Sequence, residues 1–393
     1  MSSAFQLKTG VRIPELDGLR GVAILVVLVH HYLSGRIQPR DSPLVESLNR
    51  ALALSWSGVD LFFVLSGFLI GGILLDQRNT ENYFKTFYLR RICRIFPLYF
   101  LWLILFLFLD RVLSPSLLRQ HWAADAFAPR YPNWAYAVFL QNFFIAKKQI
   151  FGPHWLGTIW SLAIEEQFYL IAPLLIRFLP LRKLPYALAA MIVVIPVLRL
   201  YSYLYHPAIF VYVLLPYRAD ALLMGVACAY GIRQEFWRDW LQKHQSHLYP
   251  AFIVLLAGVI YLSKRGIDSR TSFEMVFLGY SWLPLFYTCV LLIVITAKQG
   301  ALAKVMRITL LRNLGIIAYG VFLMHLAMDA LAHGLISGRD ILAINNLTDG
   351  LVTLFALLVT LLLATLSWHY FEKPIVRWGH SFAYTTRKTQ LEA

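Results

Sequence analysis

Apolar runs of about 20 residues recur along the whole chain, and they constrain its fold more than any other feature. A helix needs about 20 mostly apolar residues to span roughly 30 Å of hydrocarbon. Because ten runs meet this requirement, the sequence predicts an all-α polytopic membrane protein with about ten transmembrane helices. The predicted spans cover residues 20–35, 52–75, 94–110, 160–179, 184–200, 208–232, 248–263, 278–297, 313–337 and 350–371.

The composition excludes several other classes of protein. Of the 393 residues, 59% are hydrophobic and 15% are charged, whereas soluble domains contain about 25% charged residues. This hydrophobic content also excludes intrinsic disorder. The net charge of +15 fits basic cytoplasmic loops, so no nucleic-acid partner is expected. Cys93, Cys228 and Cys289 are far apart and lack metal-ligand spacing, so neither a metal site nor a disulfide scaffold is expected.

The distribution of lysine and arginine between the loops predicts the orientation. With both termini in the cytoplasm, the cytoplasmic segments contain 22 basic residues and the extracytoplasmic ones 12, and such an excess is typical of the cytoplasmic side. We therefore expect a cytoplasmic N-terminal segment 1–19, a transmembrane domain 20–371 and a cytoplasmic tail 372–393, with 111–159 outside. Residues 134–146 form a further apolar stretch that is too short to span, so an interfacial or re-entrant helix is expected there.

Charged residues at membrane depth cost several kcal/mol unless they are paired, so each marks a candidate site. Arg20 and His31 are eleven residues apart, which places them on one face of the first span and roughly 16 Å apart. His30 is expected to point about 100° away from that face. A snorkelling arginine and an interfacial histidine pair would explain the same pattern structurally.

Two adjacent acids, Glu165 and Glu166, lie inside the fourth predicted span. They point about 100° apart, so they do not share a face and only one is expected to face a site. A carboxyl group in a dry site can act as an acid or a base. The structural alternative is a carboxylate pair stabilised by the helix dipole, but the acids lie more than one turn from the start of the span.

Arg90, Arg91 and Arg94 form one basic face at the cytoplasmic end of the third span. The planar guanidinium fork matches the geometry of a phosphate group. A positive anchor against anionic lipid headgroups is the alternative explanation.

Several other polar residues lie in apolar surroundings. Arg218 and Asp220 are two residues apart, so they cannot pair along one helix and each needs a partner on another span. Asp60 is expected near the outer face, where water could solvate it. The Ser66-Gly67 pair predicts close helix packing. The remaining candidates, with structural or possible site roles, are Asp17, Tyr319 and His325.

Five sequence blocks together resemble acyltransferase family 3, a family of polytopic bacterial membrane proteins. The resemblance extends from about residue 10 to residue 375. One departure is visible, because Thr158 stands where many members have a histidine, and His154 is out of register. The blocks are Ile13 to Gly21 followed by His31, Gly58 to Leu69, Arg90 to Tyr99, Trp160 to Tyr169, and Tyr319 to His325.

The resemblance implies an enzyme of the bacterial inner membrane that transfers an acyl group, most often acetyl, from cytoplasmic acyl-CoA to a hydroxyl. The acceptor would be a carbohydrate or glycolipid, and no metal would be needed. We expect Arg91 and Arg94, with Arg20 and Arg90 beside them, to bind the CoA phosphates.

His31 is expected to act as the general base, because its unperturbed pKa of about 6.5 lies near working pH. Glu165 or Glu166 would orient its ring. Two alternatives remain open at this point: a transporter or flippase of a lipid-linked sugar or other amphiphile, and a non-catalytic sensor with a lipid pocket.

Overall fold

The computed structural model of the chain is mostly helical in its described residues, in which the only β pairing is an isolated bridge between Ile37 and Ile344. This confirms the all-α fold class. The structure describes residues 13–38, 42–113, 127, 131–265, 269–297, 299–338 and 342–385.

Seventeen α-helices lie within the described residues. Several are extended by a 3₁₀ or π-helical turn, including Ser269–Thr271, Met275–Gly279, His333–Ser337 and Ser367–Glu372. The α-helices are α1 Pro14–Tyr32, α2 Pro43–Leu52, α3 Gly58–Asp76, α4 Tyr83–Leu113, α5 Asn133–Ala137, α6 Gln141–Lys148, α7 Ile159–Phe178, α8 Leu184–Tyr205, α9 Ala208–Val213, α10 Leu215–Gly231, α11 Glu235–Lys243, α12 Leu248–Lys264, α13 Tyr280–Thr296, α14 Ala301–Met306, α15 Thr309–Ala332, α16 Leu347–Leu366 and α17 Lys373–Ser381.

Nine helical stretches among the described residues are long and apolar enough to cross a membrane, so the protein is a multi-pass membrane protein. The one predicted span without a match among them is the first, 20–35, and it corresponds to α1, a 19-residue helix that carries Glu15, Asp17 and Arg20 in its first two turns. The nine stretches are Pro43–Asp76, Tyr83–Val112, His154–Phe178, Leu184–Tyr205, Ala208–Gly231, Gln245–Lys264, Met275–Thr296, Thr309–Ser337 and Leu347–Ser381.

Some helix boundaries differ from the predicted spans. Helix α1 begins at Pro14, within the predicted N-terminal segment 1–19. Residues 1–12 of that segment lie outside the described chain. At the other end, α16 continues through a π-helical turn into α17, and residues 386–393 lie outside the described chain. Helices extend past the apolar runs because their ends are stabilised by packing rather than by hydrophobicity alone.

The stretch 134–146 forms two short helices, α5 and α6, rather than one. The chain turns between them at Phe139, whose φ of 58° is left-handed. Gln141 and Asn142 are fully buried. Gln141 donates to the carbonyl of Ile159 at 2.9 Å, so its polarity ties α6 to the start of α7.

The centre of the bundle is built on close backbone approaches at glycines. A Cβ added at Gly67 of α3 would lie 1.9 Å from the carbonyl oxygen of Leu222 in α10. One added at Gly315 of α15 would lie 1.8 Å from the carbonyl oxygen of Asp17 in α1. Small residues permit this kind of packing between membrane helices. The predicted packing role of the Ser66-Gly67 pair is confirmed for Gly67.

Candidate functional site

Two cavities lie inside the bundle, and each contains one class of candidate residue. The first, which we call the arginine cavity, has an empty volume of about 790 Å³ and is lined by Arg20, Arg91 and Arg94. The second, the histidine cavity, has an empty volume of about 1210 Å³ and is lined by His30 and His31. Val59, Ser161 and Phe322 line both cavities, so the two spaces meet at these three side chains.

Four helices, α1, α3, α7 and α15, line both cavities in an order that stacks them along the bundle axis, and α4 lines only the arginine cavity. In α1, Arg20 lines the arginine cavity, and His31, nearer the C-terminal end of the helix, lines the histidine cavity. Helix α15 follows the same order, from Gly315 to Leu326. Helices α3 and α7 run in the opposite order. Arg20 and His31 are roughly 16 Å apart along the helix, as the sequence predicts.

Two cations of the arginine cavity have no carboxylate partner among the described residues. Arg20 of α1 and Arg91 of α4 both line the cavity, and neither makes an ion pair with any residue that the structure describes. Guanidinium groups outside direct ion pairs in a part-buried wall attract anions, because water screens them less there than in bulk solvent. The cavity is therefore suited to a ligand with several negative charges.

Arg94 lines the same cavity but is also held by the C-terminal helices. Its Nη1 lies 3.6 Å from a carboxylate oxygen of Glu372. Its guanidinium carbon lies 5.0 Å from the ring centre of Trp368 and 5.8 Å from that of Tyr319. Tyr319 in turn donates its hydroxyl to the carbonyl of Ile95 at 2.8 Å. Arg94 thus links α4 to the C-terminal region as well as facing the cavity.

Arg90 does not line the arginine cavity, contrary to the expectation that it assists phosphate binding. Its Nη2 donates to the carbonyl of Phe382 at 2.7 Å, and its guanidinium carbon lies 4.9 Å from the ring centre of Tyr384. Successive side chains on a helix point about 100° apart. Arg90 therefore binds the C-terminal segment at Phe382 and Tyr384, whereas Arg91 faces the cavity.

Glu165 lies in the arginine cavity, not beside His31. Its carboxylate accepts hydrogen bonds from Ser66 at 2.8 Å and from Tyr169 at 3.1 Å. Glu166 lines neither of the two cavities, and its buried Oε1 accepts no hydrogen bond from the described residues. The predicted orientation of His31 by one of these acids is wrong, because α7 carries both toward the opposite end of the bundle.

The contacts of His31 come instead from its own helix and from α15. His31 Nδ1 lies 3.0 Å from the carbonyl oxygen of Val27 and 3.2 Å from Nε2 of His325. Nδ1 of His325 lies 2.9 Å from the carbonyl oxygen of Phe322. His325 is fully buried, and its backbone carbonyl accepts from the Tyr32 hydroxyl at 3.0 Å. The sequence offered His325 as a structural residue, and the structure adds its contact with His31.

The remaining lining of the histidine cavity contains residues that sequence reasoning missed or misplaced. His30 was expected to face away, but it lines the same cavity, and its ring lies edge-on to His31 with centroids 4.8 Å apart. His154, Trp160 and Arg270 also line it. The sequence signal available for His154 was its position within the polar stretch 111–159, close to a tryptophan. No local sequence feature marked Arg270.

Two fully buried ion pairs lie outside the lining of either cavity. Arg218 bonds Asp60 at 2.5 Å, and Arg199 bonds Asp220 at 2.7 Å. The prediction that Arg218 and Asp220 pair with other spans is confirmed. The expectation that water solvates Asp60 is wrong, since its side chain is buried in that pair. These pairs tie α3, α8 and α10 together and are structural.

The other acids and possible ligands have structural positions. Asp17 is buried at the contact between α1 and α15, and Glu15 pairs with Arg307 at 2.5 Å. In the described part of the chain, no group of three or more His, Cys, Asp or Glu side chains is placed to hold a metal ion.

The fold and the cavities define a class of protein: a multi-pass membrane protein with a cationic chamber and a histidine chamber that meet inside the bundle. The acyltransferase domain family model of acyltransferase family 3 matches residues 13–369. The chain therefore belongs to this family, which confirms the resemblance seen in the sequence.

Two relatives illustrate the similarity. The peptidoglycan O-acetyltransferase OatA of Listeria monocytogenes is 28% identical over 391 residues, which cover 93% of this chain and 56% of that protein. The O-acetyltransferase OatA of Staphylococcus aureus is 24% identical over 393 residues, covering 96% of this chain and 59% of that protein. The chain thus spans little more than half the length of these relatives. No solved structure matches it significantly.

Proposed function

We propose that this protein is an integral-membrane O-acyltransferase of the bacterial inner membrane. It would move an acetyl group from cytoplasmic acyl-CoA to a hydroxyl of a carbohydrate or glycolipid acceptor. The observation that carries the proposal is the meeting of two chemically different cavities at Val59, Ser161 and Phe322. The names of the relatives favour a cell-wall glycan as the acceptor.

The arginine cavity supports binding of the acyl-CoA. Several phosphates of the nucleotide end would be held by Arg20 and Arg91, which have no carboxylate partner in the described chain, and by Arg94. Bidentate guanidinium contacts are well matched to phosphate oxygens. The thioester end would then extend along the bundle axis toward Phe322, where the second cavity begins.

The hydrogen bonds of the histidine pair support His31 as the general base. A carbonyl oxygen only accepts, so Nδ1 of His325, which faces the carbonyl of Phe322, carries a proton. Nε2 of His325 then has a lone pair, which accepts from Nδ1–H of His31. Val27 accepts from the same Nδ1–H. This tautomer leaves the lone pair on Nε2 of His31, the nitrogen available to take a proton.

The proposed reaction uses that lone pair. His31 Nε2 removes the proton of the acceptor hydroxyl while the oxygen attacks the thioester carbonyl carbon. The new C–O bond forms, the C–S bond breaks, and the CoA thiolate leaves and takes the proton from His31. His325 acts as a positioning residue that fixes the tautomer, the role that sequence reasoning gave to Glu165 or Glu166. Attack by His31 itself, through an acyl-histidine, remains an alternative route.

Radiolabelled acetyl-CoA tests the proposal. Purified protein in proteoliposomes, supplied with a glycan fragment, is expected to transfer label to the glycan with release of free CoA. Movement of the glycan across the membrane without any dependence on acetyl-CoA would instead identify a flippase and overturn the proposal.

A further inference from the structure

One cation of the histidine cavity, Arg270, has no ion-pair partner among the described residues. Arg270, on the turn Ser269–Thr271, lines the cavity, and its guanidinium carbon lies 5.9 Å from the ring centre of Tyr212. It makes no ion pair with any residue in the described ranges. The described lining of the cavity includes no aspartate or glutamate, so no carboxylate of that lining neutralises Arg270.

The neighbouring arginines differ from Arg270 in this respect. Arg36 is paired with Asp329, and Arg218 is paired with Asp60. A buried cation usually has such a partner, because leaving water without one is costly. Arg270 is part-buried at the cavity wall, where a ligand could supply the missing negative charge.

An aromatic wall stands beside Arg270. The ring of Tyr212 lies 4.5 Å from that of Trp160 and 5.7 Å from that of Trp56, measured between centroids, and all three rings line the cavity. Flat aromatic faces pack against the apolar C–H face of a sugar ring, while polar groups at the edge fix its orientation. The wall, the cation and His31 therefore surround one space.

We propose that the acceptor is an anionic sugar, and that Arg270 binds its carboxylate or phosphate while the reacting hydroxyl lies at His31. Arg270 would then determine which acceptors are used. This inference rests on the proposed acetyl transfer and adds the chemical class of the acceptor. The geometry of one guanidinium fork suits donation to both oxygens of a carboxylate and donation to two oxygens of a phosphate equally well.

The experiment compares four acceptors: a uronic acid glycoside, its amide, the neutral hexose and the hexose phosphate. Each is assayed with acetyl-CoA for the unchanged protein, Arg270→Gln, Arg270→Lys and the control Arg265→Gln. Arg265 is a suitable control because it is exposed nearby in the chain and bonds the Tyr261 hydroxyl instead of lining the cavity.

We expect kcat/KM for at least one anionic acceptor to exceed that for the amide by about tenfold to a hundredfold, the usual strength of a charge-assisted bond. Arg270→Gln should abolish this preference by lowering kcat/KM for the anionic acceptor, and KM for acetyl-CoA should stay within about twofold. Arg270→Lys should keep part of it. Arg265→Gln should keep all of it. Comparison of the uronic acid with the sugar phosphate identifies the anion.

Equal use of charged and neutral acceptors by the unchanged protein would overturn the inference, as would a loss in Arg270→Gln that is the same for all four acceptors. The first comparison needs no variant, so it is decisive even if a substitution impairs folding. Absence of transfer to every acceptor would instead count against the proposed function itself.

Discussion

The arginine cavity and the histidine cavity share four helices but hold different polar groups. The arginine cavity has three guanidinium groups with one carboxylate, Glu165, on its wall. The histidine cavity has three imidazoles, an aromatic wall and a single arginine. Under the proposed function, α1 separates the groups that would bind a charged donor from those that would transfer a proton by about three turns. Two chemical tasks can therefore be disturbed independently.

The largest effect is expected in a test of whether the two ends of the bundle, each with its own cavity, face opposite sides of the membrane. Three candidate spans lie between Lys147 and Arg238, so an odd number of crossings separates them. In a cysteine-free background, Lys147→Cys should react with an impermeant thiol reagent in intact cells. Arg238→Cys should react only after permeabilisation. Labelling of both in intact cells would break the predicted arrangement.

The next largest effect is expected for His31→Ala. Loss of a general base typically costs 10²–10⁴-fold, so transfer should fall by about that factor. Affinity for acetyl-CoA, measured by calorimetry, should change by less than about threefold, because the phosphates would bind in the other cavity. His30→Ala is the matched control. It should lose less than about tenfold, since His30 makes no hydrogen bond to the His31–His325 pair. Equal losses in the two variants would argue against this assignment.

Substitutions of His325 sharpen the description of the histidine pair. In His325→Gln the amide oxygen can replace Nε2 as the acceptor from His31, whereas His325→Asn places its amide near Nδ1 and loses that contact. We expect kcat to fall about fivefold more in the Asn variant, because one hydrogen bond contributes about 1 kcal/mol. KM for acetyl-CoA should be the same in both. A purely structural His325 would not distinguish the two amides in kcat.

The smallest effect concerns the donor side. Arg91→Ala should raise KM for acetyl-CoA about tenfold, because a charge-assisted contact is worth about 1.5–3 kcal/mol. Arg91→Lys should recover only part of this affinity. Arg90→Ala is the neighbouring control, and its KM should stay within about twofold, since Arg90 bonds the backbone at Phe382. A larger rise in KM for Arg90→Ala than for Arg91→Ala would reverse the assignment.

Much of the candidate site could be predicted from the sequence, but only where helical geometry decided it. The shared face of Arg20 and His31 follows from their spacing, and both line a cavity. The roles of Glu165 and Arg90 could not be predicted, because their partners lie on other helices or near the end of the chain. His30 shows a further limit: a side chain about 100° from its neighbour still reaches a cavity as wide as this one.

The sequence by itself determined that the protein is a bundle of membrane helices and which family it resembles. Helix-forming length and hydrophobicity are properties of a local run of residues, so no tertiary information was needed. Only the tertiary structure decided that His325 contacts His31, that Glu165 bonds Ser66, and that Arg270 enters the histidine cavity. These contacts join residues that are far apart in the chain. Their distances depend on how closely the helices approach, which the glycines at the helix crossings allow.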